Sequence, residues 1–260
     1  MAGRKPGPYK WCEIQDSVDY WPAFEKSKIV YPDITNRPRF SMDTANRYLG
    51  NTGFVIPGGD HYLLGVLSSW ATWFFKSNTA QPLRLRSDRW QFRLFTQFME
   101  HIPIPDAPLA ERDAIAKLAE LCNTLGTQRY RIEEQVRHRL LTSFSTDPQT
   151  KLTEKAQEWW ALDFIALGEA LKTSFKRKQN PFTSPKTADE WEPYITAKFH
   201  EVDALRRQLT EAEAEINDRV YKLFHLTADE VKLLQDEVTA THRQTSSPSS
   251  TVVTGPTGPD

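Results

Sequence analysis

Apolar residues along this chain follow two different rhythms. Up to about residue 105 they come in short runs: KIVYPDI (28–34), RFSMD (39–43) and TGFVIPG (52–58), separated by Pro, Gly and Asn. Runs of this length, rich in β-branched and aromatic residues and bounded by turn formers, predict strands. Asp60 then stands ahead of Leu63, Leu64, Val66, Leu67, Trp70, Trp73 and Phe74. That pattern predicts one capped helix, apolar on most faces and therefore buried. The segment RLRSDRWQFRLFTQFMEHIPIP (84–105) closes the region, and its Ile-Pro-Ile-Pro ending can continue neither a helix nor a central strand.

From residue 106 the period lengthens to that of a helix. Residues 109–145 carry Ile115, Leu118, Cys122 and Leu125 along one side, and a second helical region covers roughly 153–175. A third begins near Ala188 and carries Ile195, Phe199, Val202, Leu205, Leu209, Ala212, Ile216, Val220 and Leu223, a seam like that of a coiled coil that is expected to pack helices within the chain. Thr227 and Glu230 form a capping box for a last helix with Val231, Leu234 and Val238. Residues 242–260 are Ser, Thr, Pro and Gly without core formers, and disorder is expected there. The expectation is an α+β chain: a mixed region at 9–105, a long-helix, coiled-coil-like region at 106–241, and a tail.

Charge adds a direction to this picture. Residues 1–105 hold 13 Lys and Arg against 9 Asp and Glu, and the remainder is acidic, so that the whole chain is at −1. A polyanion would therefore meet the front region. The longest apolar stretch, 62–75, is interrupted by Ser68, Ser69 and Thr72 and is too short to span a bilayer. No apolar signal region stands at the start, and the two cysteines, Cys12 and Cys122, lack metal-ligand spacing. A reduced, cytoplasmic compartment is expected.

Catalytic chemistry needs groups that act together, and the sequence offers none. It holds no Gly-x-Gly turn and no phosphate loop, and its six histidines are scattered. Asn180-Pro181-Phe182 is half of the Asn-Pro-Pro-aromatic motif that grips a flipped base, without the second proline or the preceding strand. Glu211, Glu213 and Glu215 read as a solvated face. No catalytic and no metal-binding residue is expected.

Four phrases occur in one order: YKWCEIQDSVDYWPAFEKSKIVYPDI, RPRF, GNTGFVIPGGDHYLLGVLSSWATWFF and RLFTQFMEHIPIP. Together they resemble the C-terminal specificity domain of TaqI-like DNA methyltransferases, the target recognition region of type IIG restriction-modification enzymes and adenine-specific methyltransferases. The rear LTEAEAEINDRVYKLFHLTADEVKLL is similar to the phrase closing many of them. The resemblance implies a partner: double-stranded DNA, read for a methyltransferase or nuclease domain or subunit that lies outside this chain. S-adenosylmethionine, and Mg²⁺ for any cleavage, would belong to that partner, leaving this chain with no cofactor of its own. A prokaryotic, cytoplasmic, non-membrane setting is implied. The chain would be a separate specificity subunit, a split-gene product or a remnant of a longer gene.

The residues expected to touch DNA are Asn36, Arg37, Arg39, Lys76, Arg84, Arg86, Arg89, Trp90, Gln91 and Arg93. Arginine donors form a rigid planar fork suited to guanine or phosphate, and glutamine can bond adenine bidentately. Pro38 restricts Arg37 to extended conformations, so the corner Asn36-Arg37-Pro38-Arg39 would start partly ordered. Against this, Arg37 and Arg39 could pair with Asp33 or Asp43 nearby. Lys76 is either a phosphate contact or a helix C-terminal charge. Trp90 is expected to pack in the core more than to stack on a base.

Overall fold

The computed structural model describes residues 6–10, 12–13, 19–80, 82–86 and 89–241, and the fold is mixed α+β. The front of the chain gives β1 (Lys28–Pro32), β2 (Ile34–Thr35), β3 (Ser41–Asp43) and β4 (Gly53–Pro57), followed by α1 (His61–Ser68) and α2 (Trp70–Thr79). The strands β5 (Pro82–Arg86) and β6 (Arg89–Arg93) and a short α3 (Thr96–Met99) complete it. The helical part comprises α4 (Leu109–Phe144), α5 (Glu154–Gln157), α6 (Phe164–Ser174), α7 (Pro185–Leu223) and α8 (Ala228–Thr241). The tail expected to be disordered, 242–260, lies outside the described residues.

Among the described residues the strands form two antiparallel sheets, β3-β1-β4 and β2-β6-β5. The run 28–34 feeds both, because it divides at Asp33. The Asp33 N–H donates to the Thr52 carbonyl beside β4 (2.9 Å), and its own carbonyl accepts from Leu94 N–H beyond β6 (2.8 Å). One residue thereby turns the chain from the first sheet to the second.

The single helix expected at 60–75 is two. Asp60 caps α1 as expected, its Oδ1 accepting from Leu63 N–H at 2.8 Å. Ser69 then stops it. The Ser69 backbone is extended, its hydroxyl donates to the Val66 carbonyl (2.7 Å), and its oxygen accepts from Thr72 N–H (3.3 Å), ending α1 and capping α2 at once. Asn217 Oδ1 takes the next free donor, Trp70 N–H, at 2.7 Å. A serine able to satisfy both helix ends is favoured at such a break over the helix interior.

The chain divides into two compact units, Lys117–Ile216 and the remainder on either side of it, so the division falls inside α4 and α7. In the first-named unit Val136, Leu140, Trp159, Leu167, Leu171 and Trp191 lead one apolar core. Trp159 is fully buried with its indole N–H donating to the Glu133 carbonyl at 3.3 Å. Along α7 the buried positions Ile195, Val202, Leu209 and Ile216 recur every seven residues, as a packed helical seam requires. Phe182 is buried and stacks on Phe164 at 4.4 Å, so Asn180-Pro181-Phe182 serves packing. In the other unit α8 packs on α2, and Thr227 and Glu230 exchange the expected capping bonds, Thr227 N–H to Glu230 Oε2 (2.8 Å) and Glu230 N–H to Thr227 Oγ1 (3.3 Å).

Candidate nucleic-acid interface

The candidate residues come from two segments some fifty positions apart in sequence, and the second sheet joins them. Strand β2 pairs with β6 through Ile34–Arg93 and Thr35–Phe92, and β6 pairs with β5 through Arg84–Gln91, Leu85–Trp90 and Arg86–Arg89. Carried one step further, the β2 register has the chain leave the sheet as Asn36-Arg37-Pro38-Arg39 at the level of Gln91.

Thr35 fixes the start of that corner. It is buried, its hydroxyl donates to the Arg37 carbonyl (2.7 Å), and the same oxygen receives Arg37 N–H (3.4 Å). Asn36 is half-buried, while Arg37 and Arg39 are exposed. The two nearby carboxylates have other cations: Asp43 holds Lys28 (2.7 Å) and Arg47 (3.1 Å), and Asp33 faces Arg93 (3.8 Å). Arg39 makes no ion pair with a described residue.

On the hairpin, Arg84 is exposed and its Nε–H donates to Gln91 Oε1 at 2.8 Å. This bond orients both side chains while leaving the remaining guanidinium donors and the Gln91 amide N–H groups available. Arg93 shares strand parity with Gln91 and is half-exposed, its guanidinium 5.0 Å over the Phe95 ring. By register Arg86 and Arg89 pair with each other two positions along, in step with Arg84 and Gln91.

Two expectations are corrected. Lys76 is 3% exposed, on the buried side of α2, with Nζ 4.6 Å from the Trp73 ring centre and 4.7 Å from that of Phe92. Its Nζ has no hydrogen-bond partner among the described residues, and burial pushes its pKa down to about 7. An ammonium closed in by two aromatic rings reaches no phosphate. Trp90 is not in the core: it is 40% exposed, and its neighbour of like parity, Phe92, is the one buried against Trp73. Trp90 lies with the exposed Leu83 and Leu85 on the face opposite Arg84 and Gln91, beside a cleft of about 200 Å³ shared with Trp73, Phe74 and Phe92.

Among the described residues no group of three or more His, Cys, Asp or Glu is placed to hold a metal ion, and no helix is long and apolar enough to cross a membrane. Burial and the carboxylate of Glu213 push the Cys122 thiol up to about 11, so it is neutral at ordinary pH. The sheet-bearing unit also carries an open apolar groove of about 410 Å³ that the sequence pattern did not predict. It is lined by Phe74, Phe75, Phe224, Leu226 and Leu233, the last 63% exposed. Phe224 and Leu226 before the capping box, with Leu233 and Leu234 after it, were the available signal.

Residues 108–220 match the model of a domain of unknown function (DUF8810). The match runs from the start of α4 nearly to the end of α7 and leaves both sheets outside it. No curated protein and no solved structure matches the chain.

Proposed function

We propose that the chain is the DNA-recognition module of a restriction-modification system, of the TaqI-like, type IIG kind, directing adenine methylation by a catalytic domain or subunit. The observation that carries this reading is the β2-β6-β5 sheet. It brings the arginine corner after Thr35 alongside the strand that bears Gln91 and Arg93, with Arg84 held to Gln91. Guanidinium groups presented from a hydrogen-bonded sheet lose less freedom on binding than the same groups on a loose loop. The ordered sequence phrases resembling the TaqI-like specificity domain support the same reading. The apolar groove at Phe224 and Leu233 supports docking on the catalytic subunit as a second role.

Fluorescence anisotropy over a randomised duplex pool tests it. Binding is expected to depend on sequence and to weaken with salt. Arg39→Ala should lower the log–log salt slope by about one unit, and Arg84→Ala should cost ~1–3 kcal/mol and relax specificity at one position. Absent or salt-independent binding by the chain, alone and with a methyltransferase subunit, would overturn the reading.

A further inference from the structure

In the Lys117–Ile216 unit, the turn after α4 and the turn after α6 enclose a polar cleft of about 540 Å³. Its lining includes the cations Lys151, Lys176 and Arg177 against one acid, Asp147, and Lys178 follows directly in the sequence. All four cations are exposed, and none has an acidic partner among the described residues. Lys172, one turn back, is by contrast neutralised by Glu169 at 3.2 Å.

The backbone here is specific. Lys176 N–H bonds the Thr173 carbonyl (3.3 Å) and Arg177 N–H bonds the Lys172 carbonyl (3.0 Å), closing α6 with Lys176 at φ +50°. Such a closure puts its next-to-last residue in the left-handed region, where glycine is the favoured choice and a lysine is strained. Arg177 is held as well: its Nη2 donates to the Phe144 carbonyl (2.7 Å), and its guanidinium lies over the Phe144 and Phe175 rings. A strained residue that brings a charge to an electropositive rim points to use of that charge. Lys151, Lys176 and Arg177 stand around an open mouth, Lys178 is exposed next to them in sequence and none of the four is buried, which suits an extended polyanion and not a single enclosed phosphate.

We infer that this cleft is a second nucleic-acid contact, in which Lys151, Lys176, Arg177 and Lys178 take the phosphodiester backbone independently of base sequence. The nucleic-acid identity of the polyanion rests on the recognition reading above; the cationic rim itself does not.

The test uses the full chain carrying Lys151→Gln, Lys176→Gly and Lys178→Gln together, with Arg177 kept because it closes the α4 end. Salt titrations of a fixed duplex are run beside those of an Arg39→Ala/Arg84→Ala variant. The rim variant should lose about two to three units of log–log salt slope with base preference unchanged. Lys176→Gly alone should raise the thermal midpoint while weakening binding, a pair of opposite shifts that a purely structural lysine would not give. A rim variant with wild-type slope, while the sheet variant is impaired, overturns this inference and leaves the recognition reading standing. The reverse pattern keeps the rim and sinks the sheet. No duplex binding by the wild-type chain, or equal binding to phosphatidylserine vesicles, overturns the nucleic-acid assignment of the rim.

Discussion

The two sheets of the same unit each involve a buried lysine, and they treat it in opposite ways. In the β3-β1-β4 sheet, Lys28 at the start of β1 is shut off from solvent with Nζ 2.7 Å from Asp43 and 2.8 Å from the Phe24 carbonyl. Beneath the β2-β6-β5 sheet, Lys76 Nζ has, among the described residues, the faces of Trp73 and Phe92 and no hydrogen-bond partner. A buried charge is tolerated when it is paired and hydrogen-bonded, or when it sheds its proton. The first sheet uses the first solution, closing its buried charge with a carboxylate. In the second, among the described residues, Asp33 makes only a loose contact with Arg93 at 3.8 Å, and Arg84 is exposed. That difference is what makes the second sheet the candidate recognition surface.

The largest effect should come from breaking the closed sheet. Asp43→Ala would leave Lys28 charged in the interior without a carboxylate, its Nζ keeping the Phe24 carbonyl, and should cost about 3–5 kcal/mol in urea unfolding. The pH dependence carries the same signature. Burial alone would raise the Asp43 pKa, but hydrogen bonds from Lys28 and from the Arg47 and Ala45 N–H groups outweigh it, and the net shift is downward from 3.8. A depressed carboxylate contributes its stability above the ordinary value and loses it as pH falls through the lowered one. Asp43→Ala should therefore lack this part of the acid-unfolding slope. A urea midpoint unchanged by the substitution would remove the contrast between the sheets.

Removing the other lysine should act with opposite sign. Between about 7 and 10.5 the unfolded chain holds a proton on Lys76 that the folded chain does not, so wild-type stability rises with pH through that window. Below it both states are protonated, and the folded state bears the full desolvation penalty. Lys76→Met should be more stable than wild type by on the order of a few kcal/mol near and below neutrality, less what the two ring contacts return, with the gap closing toward alkaline pH. Thermal midpoints across that range would show it. A Met variant destabilised at every pH would mean that the aromatic cradle holds Lys76 as firmly as Asp43 holds Lys28.

Much of this was legible from local pattern, and what was not has an identifiable cause. The strands of the first sheet, the Asp60 cap, the Thr227–Glu230 box and the seven-residue seam of α7 rest on neighbours within a turn or two, and the sequence displays those directly; β5 and β6 were not expected, since arginines outnumber β-branched residues in 84–93. The break at Ser69 was hidden because serine can ride in a helix or end one. The choice depends on Thr72 nearby and on Asn217, which caps Trp70 from 147 positions away. The burial of Lys76 and the exposure of Trp90 both turn on how β6 meets α2. Alternation puts Trp90 and Phe92 on one face, but only the Thr35–Phe92 pairing tells which lies over the helix and which at the open end. Of the candidate site, the arginine corner and hairpin were visible as composition; their meeting on one sheet was not, because strand pairing at that separation leaves no local mark.

The smallest effect is the sharpest comparison, since it places a carboxylate loss in the second sheet beside Asp43→Ala in the first. Asp33 stands 3.8 Å from Arg93, whose side chain is 43% exposed, and Asp33 Oδ1 has no hydrogen-bond partner among the described residues. Asn has nearly the same shape, and the backbone bonds of residue 33 to Thr52 and Leu94 do not involve its side chain. Asp33→Asn should therefore change stability by no more than about 0.5 kcal/mol, the scale of a half-exposed ion pair. Its consequence should appear in binding. Removing one negative charge from beside Arg93 releases that guanidinium and lowers local repulsion of a polyanion, so duplex affinity should rise a few-fold at low salt and converge on wild type as salt increases. If Asp33→Asn instead unfolds the chain at a urea concentration as low as Asp43→Ala does, the second sheet is as closed as the first, and its arginines are fastenings of the fold.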